Sequence, residues 1–174
     1  MTALNARSLT GRAVVSVADG EKVGAISDVQ VDLGQRVVLG LLMGGDGGLF
    51  NREKASLIPF GQVHTFGRDA VTISDKSGIA IAEGAPHDTA ETLNSIKKRV
   101  ITTGGEVIGD GDDLIFDDTS GAITALQLAP QGGFLGIGAT THVLPMEEIV
   151  EFGRDVITVH DSALTRVRPG ASSQ

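Results

Sequence analysis

The chain is 174 residues long, carries a formal charge of −8, and has no Cys, Trp or Tyr. Without Cys it makes no disulfide, thiolate metal site or cysteine nucleophile of its own, and its acidic balance argues against a specific nucleic-acid surface, which concentrates Lys and Arg. With Phe as the sole aromatic, the core must come from Val, Ile and Leu, a composition that favours pleated strands, and the 24 glycines mark many turns.

No continuous apolar run follows residues 1–7, so neither a signal peptide nor a transmembrane segment is expected, and a cytoplasmic protein is. Val14-Val15-Ser16-Val17 reads as a short strand closed by the Asp19-Gly20 hairpin turn. A second strand runs over 23–33, where Val29, Val31 and Leu33 alternate with Gln30 and Asp32. Gly34-Gln35 turns the chain into the apolar stretch 37–43. The Asp46-Gly47-Gly48 loop then leads to Ser56-Leu57-Ile58, which Pro59 closes. After the Gly67-Arg68-Asp69 turn, residues 70–74 form another strand. Ser77-Gly78, Gly84 and Pro86 break up the next stretch, and Asp88-Thr89-Ala90-Glu91 caps a short helix with Leu93 and Ile96 on its apolar side. Strands follow near 99–102, 108–117, 122–128, 140–144 and 156–160, with a turn at Asp118-Thr119-Ser120-Gly121. Pro145-Met146-Glu147-Glu148-Ile149 suits a single helical turn with Pro at its start, while Pro59-Phe60-Gly61-Gln62-Val63 should be looser because of Gly61.

The two halves are copies of each other. IPFGQVHTFGRDAVTI at 58–73 matches LPMEEIVEFGRDVITV at 144–159, with Phe66-Gly67-Arg68-Asp69 on Phe152-Gly153-Arg154-Asp155 at an offset of 86. Upstream, Gly20-Glu21-Lys22-Val23-Gly24 falls on Gly105-Glu106-Val107-Ile108-Gly109 at 85, as do Asp28 and Asp32 on Asp113 and Asp117. Two copies are too few for an open solenoid, so closed units are expected.

The order G-E-x-V/I-G, D-V-x-V-D, an apolar strand, Gly132-Gly133-Phe134-Leu135-Gly136-Ile137-Gly138 and Val143-Leu144-Pro145-Met146-Glu147 resembles the PRC-barrel family. That family is named after the cytoplasmic domain of the photosynthetic reaction-centre H subunit, and a related barrel ends a ribosome maturation factor. The resemblance covers 11–74 and 99–161. The first copy departs from it, since Asp46-Gly47-Gly48-Leu49-Phe50-Asn51-Arg52 lacks the later Gly pair. The resemblance implies strongly bent sheets closed into barrels and a scaffold or adaptor role without a shared catalytic centre. It leaves two arrangements open: one barrel alone keeps a partner surface, or the two imitate a dimer of single-copy relatives.

Enzyme chemistry finds no motif. The Gly-rich run at 132–138 has neither phosphate-loop nor dinucleotide spacing and reads as a wide hairpin. The acidic run Glu106, Asp110, Asp112, Asp113, Asp117 and Asp118 fails calcium-loop spacing, with Leu114 and Ile115 at positions 5 and 6, and reads as a solvated face with turn aspartates. His64, His87, His142 and His160 share no metal spacing, and no G-x-S-x-G is present. In the FGRD repeats, Phe reads as a core plug, Gly as a turn, and Arg as reaching a neighbouring carboxylate or carbonyl.

The expectation is an all-β chain of two small PRC-barrel-like β-barrels from an internal duplication, with a short linker helix. The first domain spans 1–80, the linker 81–98, the second domain 99–167, and a flexible tail 168–174. The expected function is non-enzymatic protein–protein interaction, with an unknown protein partner or self-association and no cofactor or metal. Phe134, Leu135 and Ile137 are the candidate docking residues, with Leu49 and Phe50 as counterparts in the first copy. The alternative is a small-ligand or ion-binding module using the groove between the domains.

Overall fold

The computed structural model describes residues 1–44, 56–81, 90–131 and 140–169. Its strands are β1 (Ala3–Asn5), β2 (Ala13–Ser16), β3 (Lys22–Asp32), β4 (Val37–Met43), β5 (Ser56–Pro59), β6 (Val63–Phe66), β7 (Ala70–Ile73) and β8 (Ala80–Ile81), followed by β9 (Ala90–Thr92), β10 (Arg99–Thr102), β11 (Val107–Asp117), β12 (Ile123–Leu128), β13 (His142–Pro145), β14 (Ile149–Phe152), β15 (Val156–Val159) and β16 (Arg168–Pro169). Single 3₁₀ turns lie at Ala6–Leu9, Phe60–Gln62, Leu93–Ile96 and Met146–Glu148, and one helical turn, α1, at Ala163–Arg166.

The copies have the same topology. One sheet is ordered β6-β7-β2-β3-β4-β5-β8 and the other β14-β15-β10-β11-β12-β13-β16. β2 and β7 pair in parallel, as do β10 and β15, and the other pairs are antiparallel. The bulges are duplicated as well. The register slips at Val14/Val15 and at Val100/Ile101, at Ile26/Asp28 and at Gly111/Asp113, and at Gln30/Val31 and at Ile115/Phe116. Each slip bends its strand, which is how the eleven-residue β3 pairs with β2, β4 and β9, and β11 with β10, β12 and β1.

What stands of the expected architecture is two β-sheet-rich regions in tandem. Among the described residues the end strands β6 and β8 do not pair with each other, nor do β14 and β16, so the hydrogen-bonded circuits are not closed. The expected helix after residue 88 is a strand, β9, followed by the 3₁₀ turn Leu93–Ile96, while Asp88 and Thr89 lie outside the described residues. The 3₁₀ turns after Pro59 and Pro145 are alike in length, so Gly61 does not loosen the first. In the expected tail, Arg168 and Pro169 pair with Val143 and His142.

Apolar alternation places Val14, Val29, Val31, Leu41 and Ile73 from the first copy and Val100, Leu114, Phe116, Leu126 and Ile157 from the second in one continuous core. Each of these ten is fully buried. The repeated FGRD corner is structural, because a Cβ on Gly67 would lie 2.5 Å from Ala70 O and one on Gly153 2.7 Å from Val156 O. A basic side chain caps each corner, with Arg12 Nη1 donating to Gly67 O (2.7 Å) and Lys98 Nζ to Gly153 O (2.9 Å). Phe66 and Phe152 pack against the core as expected. Arg68 and Arg154 do not reach a carboxylate or carbonyl among the described residues; both are exposed, because the turn directs them outward.

Candidate functional site

The seam between the copies is built by exchange. β1, the first strand of the chain, pairs with β11 of the second copy in the register Ala3 to Asp117, Leu4 to Phe116 and Asn5 to Ile115. β9, which enters the second copy, pairs with β3 of the first in the register Ala90 to Asp32, Glu91 to Val31 and Thr92 to Gln30. The two registers are equivalent under the repeat, so each copy lends its leading arm to the other.

The repeated aspartates hold these arms. Asp113 accepts the Arg7 N–H (2.9 Å), the Leu114 N–H (2.8 Å) and Asn5 Nδ2 (3.2 Å). Asp28 accepts the Val29 N–H (2.8 Å) and, more weakly, the Leu93 N–H (3.4 Å). Burial raises the Asp113 carboxyl above the ordinary aspartate range, against the pull of its N–H donors and of Arg7. Asp117 accepts the Ser120 N–H (2.7 Å), the Ser120 hydroxyl (2.9 Å) and the Thr119 N–H (3.1 Å), and these bonds, the Ser120 N–H foremost, hold its carboxyl below that range. The solvated acidic face is therefore corrected: Asp113 and Asp117 are buried, while Asp110 is exposed and paired with Arg99 at 2.8 Å.

At the centre of the seam the two β-hairpin turns meet. Val37 bridges Ala122, the Val38 N–H donates to Gly121 O (2.8 Å), and the Ile123 N–H donates to Arg36 O (2.8 Å). Arg36 has left-handed backbone, φ 58, and sends Nη1 to Met146 O (3.0 Å) and Nη2 to Ile149 O (2.8 Å) of the other copy. On the opposite side Phe60, Phe66 and Phe116 form an aromatic trio, with centroids 5.7 Å apart for Phe60–Phe66 and for Phe66–Phe116.

Two open clefts flank this frame. One, of about 380 Å³, lies on the seam between Val63, His64, Thr65 and Phe66 of β6 and Asp118 and Thr119 of the opposite turn. The other, of about 330 Å³, belongs to the second copy and is lined by Val107, Ile108, Leu128, Gln131, His142, Leu164 and Val167. Val107 and Leu164 are 55% and 47% exposed, large values for apolar side chains.

A family model for the PRC-barrel domain matches residues 1–79 and 94–166. The chain belongs to the PRC-barrel family. The first match includes the crossing strand β1, whereas the second begins at residue 94, just after β9. The chain is also similar to the "Probable sporulation protein YlmC" of Bacillus subtilis (strain 168), 29% identical over 63 residues. That match covers 34% of this chain and 78% of the relative, which makes it about the size of one PRC-barrel repeat.

As a tandem PRC-barrel protein the chain is a module of a type typically involved in protein–protein interactions. Its expected docking residues Leu49, Phe50, Phe134, Leu135 and Ile137 lie outside the described residues. The seam does not gather the histidines: His64 and His160 are exposed, His142 is half-buried in β13, and His87 lies outside the described residues. Among the described residues no three His, Cys, Asp or Glu side chains converge to hold a metal ion, and no helix is long and apolar enough to cross a membrane. Sequence reasoning missed Arg36, the two arms and the exposed Val107–Leu164 pair. A faint signal for the arms exists in Ser8-Leu9 against Ser95-Ile96, at an offset of 87.

Proposed function

We propose that the two PRC-barrel repeats act as one interlocked, non-enzymatic scaffold that holds a partner protein on the second repeat. The docking surface in this reading combines Phe134, Leu135 and Ile137 with Val107 and Leu164, and the cytoplasm is its setting. The observation that carries it is the half-exposed apolar pair Val107 and Leu164 in a cleft also lined by Gln131, whose bridge to Thr140 marks both ends of the Gly-rich segment. The first repeat has Lys22 where the second has Val107, so this apolar surface is not duplicated. The repeats then divide the work, one serving as support and the other as docking face, and Leu49 and Phe50 are secondary contacts. A sporulation setting rests only on the name of the Bacillus subtilis relative.

The test is affinity capture of the tagged chain from its native lysate at two salt concentrations, beside a Phe134→Ser/Leu164→Ser variant that melts at the same temperature. The proposal expects one dominant protein at both salts that the variant loses. Equal retention by the variant, or no specific protein at either salt, overturns it.

A further inference from the structure

The main chain of the seam obeys the repeat, whereas its side chains do not. The Val38 N–H donates to Gly121 O and the Ile123 N–H to Arg36 O, both at 2.8 Å, and the two bonds are related by the offset of 85. The arms cross in equivalent registers as well. A seam between two like repeats would keep all of these main-chain contacts, so they do not select an unlike partner. Selection falls to the side chains.

The two ends of the seam are filled in different ways. At one end Arg36, with φ 58, sends its guanidinium to Met146 O (3.0 Å) and Ile149 O (2.8 Å). At the other end stands Gly121, the repeat mate of Arg36, with φ 72. There the ring of Phe60, the repeat mate of Met146, fills the space: a Cβ on Gly121 would lie 3.2 Å from Phe60 Cε1 and 3.3 Å from Val38 O. The same ring meets Phe116 edge-on across the seam, with centroids 6.4 Å apart and planes at 78°. The repeat mate of Phe116 is Val31, so the end that holds Arg36 lacks this ring pair. One end therefore matches a phenylalanine to a glycine, and the other matches an arginine to an unbranched methionine.

We propose that the seam is a heterotypic recognition surface: the first repeat is shaped to take the second, and neither is shaped to take a copy of itself. Specificity of this kind needs a penalty on the wrong partner as well as a good fit to the right one. Two first repeats would set Arg36 against Phe60 at both ends, where the arginine side chain and the ring claim the same space, and overpacking a dense interior costs stability. Two second repeats would set Gly121 against Met146 at both ends. That pairing leaves the volume of the guanidinium empty and strips the Met146 and Ile149 carbonyls of their side-chain donor, in residues that are both buried. A repeat of a second copy of this chain is accepted on the same terms, first with second only. Partner docking on the second repeat plays no part in this selection, so either idea can fail alone.

Each end can be rebuilt as the other within the full chain, which turns the selection into a double-mutant cycle read by thermal unfolding. At the glycine end, Gly121→Arg alone reproduces the contact of two first repeats and Phe60→Met alone that of two second repeats. The double variant reproduces the matched contact of Arg36 with Met146. The Tm is expected to fall by about 6 °C for Gly121→Arg and about 3 °C for Phe60→Met, but by no more than about 3 °C for the double. Whatever the left-handed backbone costs an arginine at position 121 enters the single and the double alike, so it cancels from the coupling. At the other end Met146→Phe should cost about 6 °C in the native chain, and its addition to Arg36→Gly should cost nothing further. If Gly121→Arg alone does not fold, a folded double variant supports the proposal and an unfolded one overturns it. Losses that add to within about 1 °C at either end overturn it as well.

Discussion

At φ 58, Arg36 holds backbone that costs an L-residue about 1 kcal/mol relative to glycine. Its repeat mate is a glycine, which shows that the turn itself does not require a side chain. The strain is offset by two charge-assisted bonds to Met146 O and Ile149 O, worth about 2 kcal/mol together in a half-buried setting. Arg36→Ala keeps the strain and removes the clamp, so it should destabilise the chain by about 2 kcal/mol in urea unfolding. Arg36→Gly removes both and should cost only about 1 kcal/mol. Equal stability of all three proteins would mean that the clamp contributes nothing.

Most of the strands were legible because Val, Ile and Leu alternate with polar residues at the period of a half-buried strand, as in Val29, Val31 and Leu33. Asp113 shows where that rule stops. The bulge between Gly111 and Asp113 shifts the register of β11, so counting by twos from Asp110 does not reveal which carboxylates turn inward. The arms were illegible for a different reason. Ala3–Asn5 and Ala90–Thr92 are three residues each, too short for any period, and their partners lie more than 50 residues away in the other copy. The docking segments were legible only as Gly-rich apolar sequence, and the exposure of Val107 and Leu164 depends on how the sheet bends.

The two arms are not equal as elements. β1 sets Leu4 against Phe116, with Arg7 Nε beyond it the one buried atom there without a hydrogen-bond partner among the described residues, whereas β9 sets Glu91 against Val31, with both Glu91 Oε2 and Gln30 Oε1 buried and without a partner among those residues. The first arm is the better docked, since an unsatisfied buried acceptor costs stability that an apolar contact does not. Removing residues 1–5 should therefore speed amide exchange at residues 115–117 at least tenfold, a local loss of about 1.4 kcal/mol or more. Residues 30–32, covered by β9, should stay near their original rates. Acceleration confined to the first copy would show that β1 stabilises its own repeat instead.

On the scale of the whole molecule, the arms, the Val37–Ala122 bridge and the shared core make the tandem a single interlocked body with one apolar interior. Such an interlocked body suits a scaffold better than two barrels on a flexible tether. Everything proposed about function depends on that interlock, and the absence of native cysteine allows it to be tested by cross-linking. Facing Cα atoms in an antiparallel pair lie about 4.5–5.5 Å apart, within disulfide range. The decisive comparison is between Asn5→Cys/Ile115→Cys, which joins β1 to the other copy, and Asn5→Cys/Gln30→Cys, which joins it to the equivalent position of its own copy. Rapid, near-complete intramolecular oxidation of the 5–115 pair with little of the 5–30 pair is the predicted result, and the reverse order would contradict the exchange of arms on which the account rests.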